Sequence, residues 1–372
     1  MASVEPPAPA APDGGNAGAE PSVRLRREAL LEALDGLRAS PDLPALRAAL
    51  GAVYAGVAPG GPLQAADDDE AVVFPEGLLH AELAQIGAAL TLERARYYAE
   101  RLRKAARGAR TAAINEIDLN RWKAYGDIVT DSLWLIERRD GSGVHRADYW
   151  GNFVPQIPNQ LMRRYTRRGE WVLDPFAGAG TTLIEGQRLG RHVLGVELQP
   201  ALVERARGLV AAEPNPFAVE LSVVPGDSAT LDFRALLAEH GATSAQLAIL
   251  HPPYHDIIRF SDDPRDLSNA PSLDIFLGLL GRVVERVAAA LDRGRYLALV
   301  IGDKYARGEW VPLGFLAMQA VQERGFALKS IVVKDIHGTA GKRAQQELWR
   351  YRALVGGFYV FRHEYVFVFR KR

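Results

Sequence analysis

Residues 171–197 constrain the fold of this chain more than any other stretch. They read WVLDPFAGAGTTLIEGQRLGRHVLGVE. An apolar run, Trp171-Val172-Leu173, ends in Asp174-Pro175-Phe176. Small residues follow (Ala177, Gly178, Ala179, Gly180), then Thr181-Thr182 and a stretch of helical character. A second apolar run ends in Glu197. Strand, glycine turn, helix, strand and acid form the opening βαβ unit of a nucleotide-binding sheet.

The rest of the chain extends that sheet. Strands are expected at 222–224, 247–250, 296–301, 327–333 and 365–370, with helices at 273–291 and 313–324. Strands alternating with helices predict a mostly parallel α/β sheet, Rossmann-like, whose last strand runs antiparallel. A long polar loop, 334–364, joins the closing pair. This main domain spans 151–372.

Upstream, the pattern is different. Residues 1–21 are Ala, Pro, Gly and Glu with few large apolar residues, the composition of a disordered tail. Residues 22–115 predict a helical appendage. Leu25, Leu30, Leu31, Leu34 and Leu37 recur at helical spacing. A second, single long helix is expected over 75–113. Its basic half (Arg94, Arg96, Arg101, Arg103, Lys104, Arg107, Arg110) reads either as a solvated face or as a phosphate-contacting one. Residues 116–150 read as a linker with a hairpin, SLWLIE and VHRADYW flanking Asp140-Gly141-Ser142-Gly143.

The composition narrows the function classes. The chain has 372 residues, is 48% hydrophobic, carries zero formal net charge and contains no cysteine. A sizeable core is affordable, and any basic surface must be local. Disulfides, thiolate nucleophiles and Cys-ligated zinc are excluded, and no metal-ligand set is expected. The lack of a long apolar run or a basic-then-apolar leader predicts a cytoplasmic protein away from membranes.

Two constellations carry chemistry. At the first, a helix N-terminus offers unpaired N–H groups, and glycines let a ligand approach the backbone. Only Gly178 and Gly180 are present, so the turn is not G-x-G-x-x-G. The carboxylate of Asp174 suits a ligand with an ammonium group, such as the methionine part of S-adenosylmethionine. Glu197 is placed for a ribose diol, and Asp227, at the end of the third strand, for an adenine.

The second constellation is His251-Pro252-Pro253-Tyr254. The prolines remove two N–H donors, so carbonyls face the crevice without competing donors. Tyr254 can stack on a planar base. Acceptors around an exocyclic amine draw its lone pair back onto nitrogen, ready for in-line methyl transfer. A base within a duplex must first be flipped out.

With these motifs the chain resembles the amino-group DNA methyltransferases, which methylate adenine N6 or cytosine N4. Residues 174–182, DPFAGAGTT, match that family's usual DPFxGSGTT, with Ala179 in place of Ser. His251-Pro252-Pro253-Tyr254 stands where the family has (D/N/S)PP(Y/F/W), and His replaces the usual Asp, Asn or Ser. A neutral imidazole can still accept from an amine. The segment from Phe153 through Pro155 to Pro158 is similar to the family's F-x-P segment. The resemblance implies S-adenosylmethionine as cofactor, held by Phe153, Pro155, Asp174, Pro175, Phe176, Gly178, Gly180, Thr181, Thr182, Glu197 and Asp227. His251, Pro252, Pro253 and Tyr254 would carry catalysis on double-stranded DNA. Cytosine N4 is favoured over adenine N6, because a non-acidic residue before Pro-Pro is commoner in that branch. A homodimer and a cognate restriction endonuclease are partners such a family allows.

Nucleic-acid contacts are expected from Arg259, in the polar loop after Tyr254, and from Lys342, Arg343, Trp349, Arg350 and Arg352 in the late loop. There basic, amide and aromatic residues interleave. A solvated amphipathic helix is the alternative for the late loop. Motif order also fits RNA guanine-N2 methyltransferases, and His251 also fits a SAM- and nucleic-acid-binding protein with impaired catalysis.

Overall fold

The computed structural model describes residues 21–66, 70–336 and 346–372. The tail expected over 1–21 therefore lies almost wholly outside the described residues. The chain divides into two units, one made of residues 1–111 with 118–126 and the other of 112–117 with 127–372.

In the first unit, β1 (Ser22–Arg26) pairs antiparallel with β2 (Ala71–Pro75). Four helices complete it: α1 (Arg27–Ala39), α2 (Leu43–Val57), α3 (Glu76–Gly87) and α4 (Leu92–Arg107). Leu30, Leu34, Leu37, Leu46, Leu79, Leu83 and Ile86 are fully buried between them. The single helix expected over 75–113 is two. Thr91 caps α4 by accepting from Arg94 N at 3.2 Å. Arg47 holds the carbonyls of Gly87 and Ala89 at 3.1 and 3.0 Å. Satisfying orphan groups on both sides of the break makes it cheaper than a continuous helix. The arginines of α4 are largely spent inside the unit. Arg96 donates to Ser40 O at 2.6 Å, Arg103 pairs with Asp35 at 2.8 Å, and Arg101 pairs with Glu82. Arg94, Lys104, Arg107 and Arg110 stay exposed.

The second unit holds the sheet. Its elements in order are β3 (Leu133–Trp134), α5 (Gln156–Tyr165), β4 (Trp171–Asp174), α6 (Thr181–Leu189), β5 (His192–Glu197), α7 (Pro200–Ala212), β6 (Leu221–Pro225) and α8 (Phe233–Glu239). They continue as β7 (Ala245–Leu250), α9 (Leu273–Ala290), β8 (Leu291–Ile301), β9 (Lys304–Ala306), β10 (Glu309–Val311), α10 (Leu313–Gln322), β11 (Phe326–Asp335), α11 (Gln346–Gly356) and β12 (His363–Lys371). The eight-stranded sheet has the order β3-β11-β12-β8-β7-β4-β5-β6. Only β12 runs against its neighbours β8 and β11. This is the mostly parallel, Rossmann-like sheet expected from sequence, with its antiparallel last strand.

Both faces of the sheet are covered. Leu173, Leu194, Phe276, Leu280 and Phe367 are buried on one side. Ile157, Val172, Leu183, Leu247 and Val366 are buried on the other. The order reverses at β4, which lies between β5 and β7. Ligands bind in the crevice at the carboxyl ends of strands at such a switch point.

The expected hairpin over 127–150 does not form. Leu133 and Trp134 pair in parallel with Val333 and Lys334 instead. Residues 136–153 then run as a strap whose backbone is tied by side chains. Ile136 N donates to Asp335 Oδ1 at 2.9 Å and Asp140 N to Gln156 Oε1 at 3.2 Å. Arg139 donates to the Phe153 carbonyl at 2.8 Å. Buried His145 meets Glu185 of α6 at 2.8 Å. These bonds occupy backbone groups that a hairpin ladder would use.

Candidate active site

The turn between β4 and α6 is built as its sequence demands. Gly178 and Gly180 have φ of +51° and +87°, conformations costly for a residue with a Cβ. Gly180 N donates to Ala177 O at 2.8 Å and closes the turn. Gly178 N donates to Glu197 Oε2 at 2.9 Å, and Gln199 N donates to Oε1 at 2.9 Å. The end of β5 is thereby fastened to the glycine turn. Burial pushes the Glu197 carboxyl up, against the pull of those two N–H groups.

Asp174 lies beneath the turn, 1% exposed. Its Oδ1 accepts from Phe176 N at 3.0 Å. Its Oδ2 and the Thr182 hydroxyl are buried without a partner in hydrogen-bond geometry, although Thr182 is near enough to draw the Asp174 pKa down. Burial dominates and lifts that pKa to about 6. An unpaired carboxylate oxygen here is a standing cost unless a cation or donor arrives.

A cavity of about 680 Å³ opens above this turn. It falls within the range for small-molecule sites. Pro175, Phe176, Gly178, Glu197, Gly226, Asp227 and Ser228 line one end. Asp227 Oδ1 caps its own turn through Ala229 N at 2.9 Å, and Ser228 Oγ donates to Pro175 O at 2.7 Å. The strap crosses this end. Tyr149 lies 6.1 Å from Phe260, centroid to centroid, and a Cβ on Gly178 would sit 3.3 Å from the Tyr149 ring. Burial, then the Glu197 charge, raises the Tyr149 pKa.

The same cavity continues to His251, Pro252, Pro253 and Tyr254, which follow β7. Phe153 packs edge-on against His251 at 4.8 Å. The Tyr254 hydroxyl donates to Glu364 Oε2 at 2.7 Å and lies 3.3 Å from His251 Nε2. Lys334 pairs with Glu364 Oε1 at 3.1 Å. Lys334 and Glu364 are cross-strand partners on β11 and β12, and both are buried. Burial pushes His251 down to about 4; Glu364 pulls it up, and Lys334 pushes it further down. At neutral pH the imidazole is therefore uncharged and keeps a lone pair. Burial, then the Glu364 charge, drives the Tyr254 pKa far up, so the phenol keeps its proton.

The cavity thus brings together Phe153, Pro175, Phe176, Gly178, Glu197, Asp227 and all of residues 251–254. Asp174, Gly180, Thr181, Thr182 and Pro155 do not line it. They are buried behind it and shape the turn and the start of α5. Arg259 stands outside the lining, paired with Asp262 at 2.8 Å. Trp349, Arg350 and Arg352 lie on α11, with the Arg352 guanidinium 5.3 Å from the Trp349 ring. Lys342 and Arg343 fall outside the described residues. Sequence reasoning missed Glu364 and Tyr149 as site residues. Glu364 carries no motif, and only the strand register reveals its pairing with Lys334.

Residues 100–208 match a family model described as DNA methylase, of the N6/N4 type. That match to the DNA methylase family covers under a third of the chain. The chain is similar to the type II methyltransferase M.MjaII of Methanocaldococcus jannaschii, at 34% identity over 75 residues, 20% of this chain and 14% of that protein. It is also similar to the type II methyltransferase M2.DpnII of Streptococcus pneumoniae, at 32% identity over 101 residues, 26% of this chain and 34% of that protein. The matches span about a third or less of those relatives. Among solved structures, TrmN from Thermus thermophilus aligns at 19% identity with a TM-score of 0.38, covering 59% of this chain and 49% of its own.

The cofactor of such a methylase domain is S-adenosylmethionine, and the residues present fit it. Asp174, buried behind the turn, would set negative charge beneath a cationic amino acid end without lining the cavity. Glu197 keeps free lone pairs for a diol. The positive-φ Gly178 clears the space between. No helix among the described residues is long and apolar enough to cross a membrane.

Proposed function

We propose that this protein transfers a methyl group from S-adenosylmethionine to an exocyclic amine of a flipped-out DNA base, cytosine N4 in preference to adenine N6. One observation carries this reading. A single cavity joins the Glu197–Gly178 end, suited to the donor, to the His251–Tyr254 end, suited to the amine.

Bound S-adenosylmethionine supplies a methyl on a positively charged sulfur, which keeps the bonding pair when the methyl leaves. The chain's own residues do the rest. Glu197 and Asp227 hold the nucleoside end, and Phe153 shields the methionine end from water. Tyr254 stacks on the base. The neutral His251 accepts from the amine and returns lone-pair density to its nitrogen, with the Pro252 and Pro253 backbone offering no competing donors. Trp150, 73% exposed, and Ile257, 49% exposed, sit at the cavity edge and suit contact with the distorted duplex. Arg259, Arg350 and Arg352 supply phosphate contacts, with Trp349 beside them.

The test offers the protein tritiated S-adenosylmethionine with duplex DNA and, separately, tRNA. Label in DNA is expected. Label in tRNA and none in any DNA would transfer the reading to an RNA methyltransferase.

A further inference from the structure

The acceptor end holds more polar machinery than binding an amine requires. His251 Nε2 lies 3.3 Å from the Tyr254 hydroxyl, which donates to Glu364 Oε2 at 2.7 Å. Lys334 anchors the other Glu364 oxygen at 3.1 Å. Glu364 is 8% exposed and Lys334 6%, yet both border the cavity. Burying an ion pair is expensive, and a hydrophobic pair would often serve stability equally well. A Cβ on Gly302 would come within 3.0 Å of the Tyr254 ring, so the phenol is also sterically held in this line.

The order of donors matters. The one Tyr254 proton is committed to Glu364, so the phenol oxygen faces His251 as an acceptor. His251 is thus connected to a carboxylate through a hydroxyl already oriented to pass a proton on.

We propose that Tyr254 and Glu364, with Lys334 as the anchor, form the proton outlet of the site, rather than a merely structural cluster. This rests on the methyl-transfer reading above. When the amine nitrogen forms its bond to the methyl carbon, it carries one proton too many. An N–H bond breaks, its electron pair stays on nitrogen, and the proton goes to the His251 lone pair. His251 passes a proton from Nε2 to the Tyr254 oxygen as the Tyr254 proton moves to Glu364 Oε2. Glu364 then holds the proton at the cavity wall, where water removes it. The proton count balances with no oxidant or further reactant. The relay leaves His251 as the Nδ1–H tautomer and the Tyr254 hydrogen toward His251. Exchange with water restores the Nε2–H tautomer and turns the Tyr254 hydroxyl back to Glu364 before the next turnover. Glu364, Tyr254 and Lys334 are the titratable groups facing His251, and of the two charges Glu364 favours its protonated form while Lys334 opposes it.

The experiment follows the His251 imidazole by NMR titration in the full-length protein and, in parallel, measures single-turnover methylation of duplex DNA. Glu364→Gln is expected to lower the His251 pKa, Lys334→Met to raise it, and Tyr254→Phe to leave both charges in place. Glu364→Gln and Tyr254→Phe should slow single-turnover methylation by about 10- to 1,000-fold, the range for general acid–base steps and transition-state hydrogen bonds. S-adenosylmethionine affinity should be unchanged in both. Glu364→Gln should also move the acid limb of the rate profile to lower pH. Wild-type rates in both variants, or a slowed Glu364→Gln with an unmoved His251 titration, would overturn the outlet while leaving the methylase reading intact. Absence of DNA methylation by the wild type would overturn both.

Discussion

Gly178 N–H donates to Glu197 Oε2 at 2.9 Å, so the acid ending β5 and the glycine turn opening α6 are one rigid piece. The usual description of such an acid is as a ligand for a ribose. Here it first organises the turn, and it also lines the cavity. Replacing Glu197 by Ala removes both roles. S-adenosylmethionine affinity should fall about 10- to 100-fold, the worth of one or two charge-assisted hydrogen bonds. Calorimetric titration checks this, and an affinity within twofold of wild type would remove Glu197 from the donor site.

Asp174 sets up an exchange of stability against binding. Its folded pKa, about 6, stands above the ordinary 3.8 because burial disfavours the charged form. A raised carboxylate destabilises the fold where it is ionised. The cost is absent below the ordinary pKa, grows as pH rises between the two values, and is full above about 6. Asp174→Asn should therefore stabilise the ligand-free protein at neutral pH by up to about 3 kcal/mol, two pKa units of linkage. It should gain little in acid. Denaturant melts at two pH values show whether the gain disappears as pH falls. The same variant should bind S-adenosylmethionine more weakly, because the cationic end loses its counter-charge.

For the wild type, that carboxylate gives cofactor binding a pH dependence. A cationic amino group favours ionised Asp174, so affinity should decline as pH falls through about 6. The decline of His251 function belongs near 4 and should appear separately, in the rate at saturating cofactor. Affinity and single-turnover rate measured across pH distinguish the two limbs.

Gly302 lies at the end of β8, and its missing Cβ leaves room for Tyr254. Gly302→Ala places a methyl 3.0 Å from Tyr254 Cε2, closer than side chains normally pack. The ring must turn, and base stacking and the Glu364 contact both suffer. The ring needs to give by only a few tenths of an ångström, so the single-turnover rate should fall by up to about 10-fold, less than the roughly 100-fold of a 1 Å misplacement. Cofactor affinity should hold. An equal loss in both would point to general unfolding.

Much of this was legible in sequence for local reasons. Residues 171–197 form their strand, turn, helix and strand because glycine geometry and apolar runs are local properties. The strands at β6, β7, β8, β11 and β12 were also marked by their apolar runs. The misreadings involve distant partners. Residues 127–150 look like a hairpin, but Leu133 and Trp134 find Val333 and Lys334 instead. Ser22–Arg26 reads as part of a helix, yet it pairs with Ala71–Pro75. The helix over 75–113 breaks because Arg47, from another helix, supports the break. Glu364 and Lys334 meet only through the antiparallel register of β11 and β12. A period of two or 3.6 residues carries no information about such meetings.

Nucleoside analysis of duplex DNA, after incubation with S-adenosylmethionine and either wild-type protein or His251→Ala, decides whether His251 serves methyl transfer to a base amine. N4-methylcytosine is expected with the wild type and about 100-fold less with His251→Ala, the order seen when a transition-state hydrogen bond is removed. DNA without methylated bases, or methylation undiminished by His251→Ala, would contradict that role.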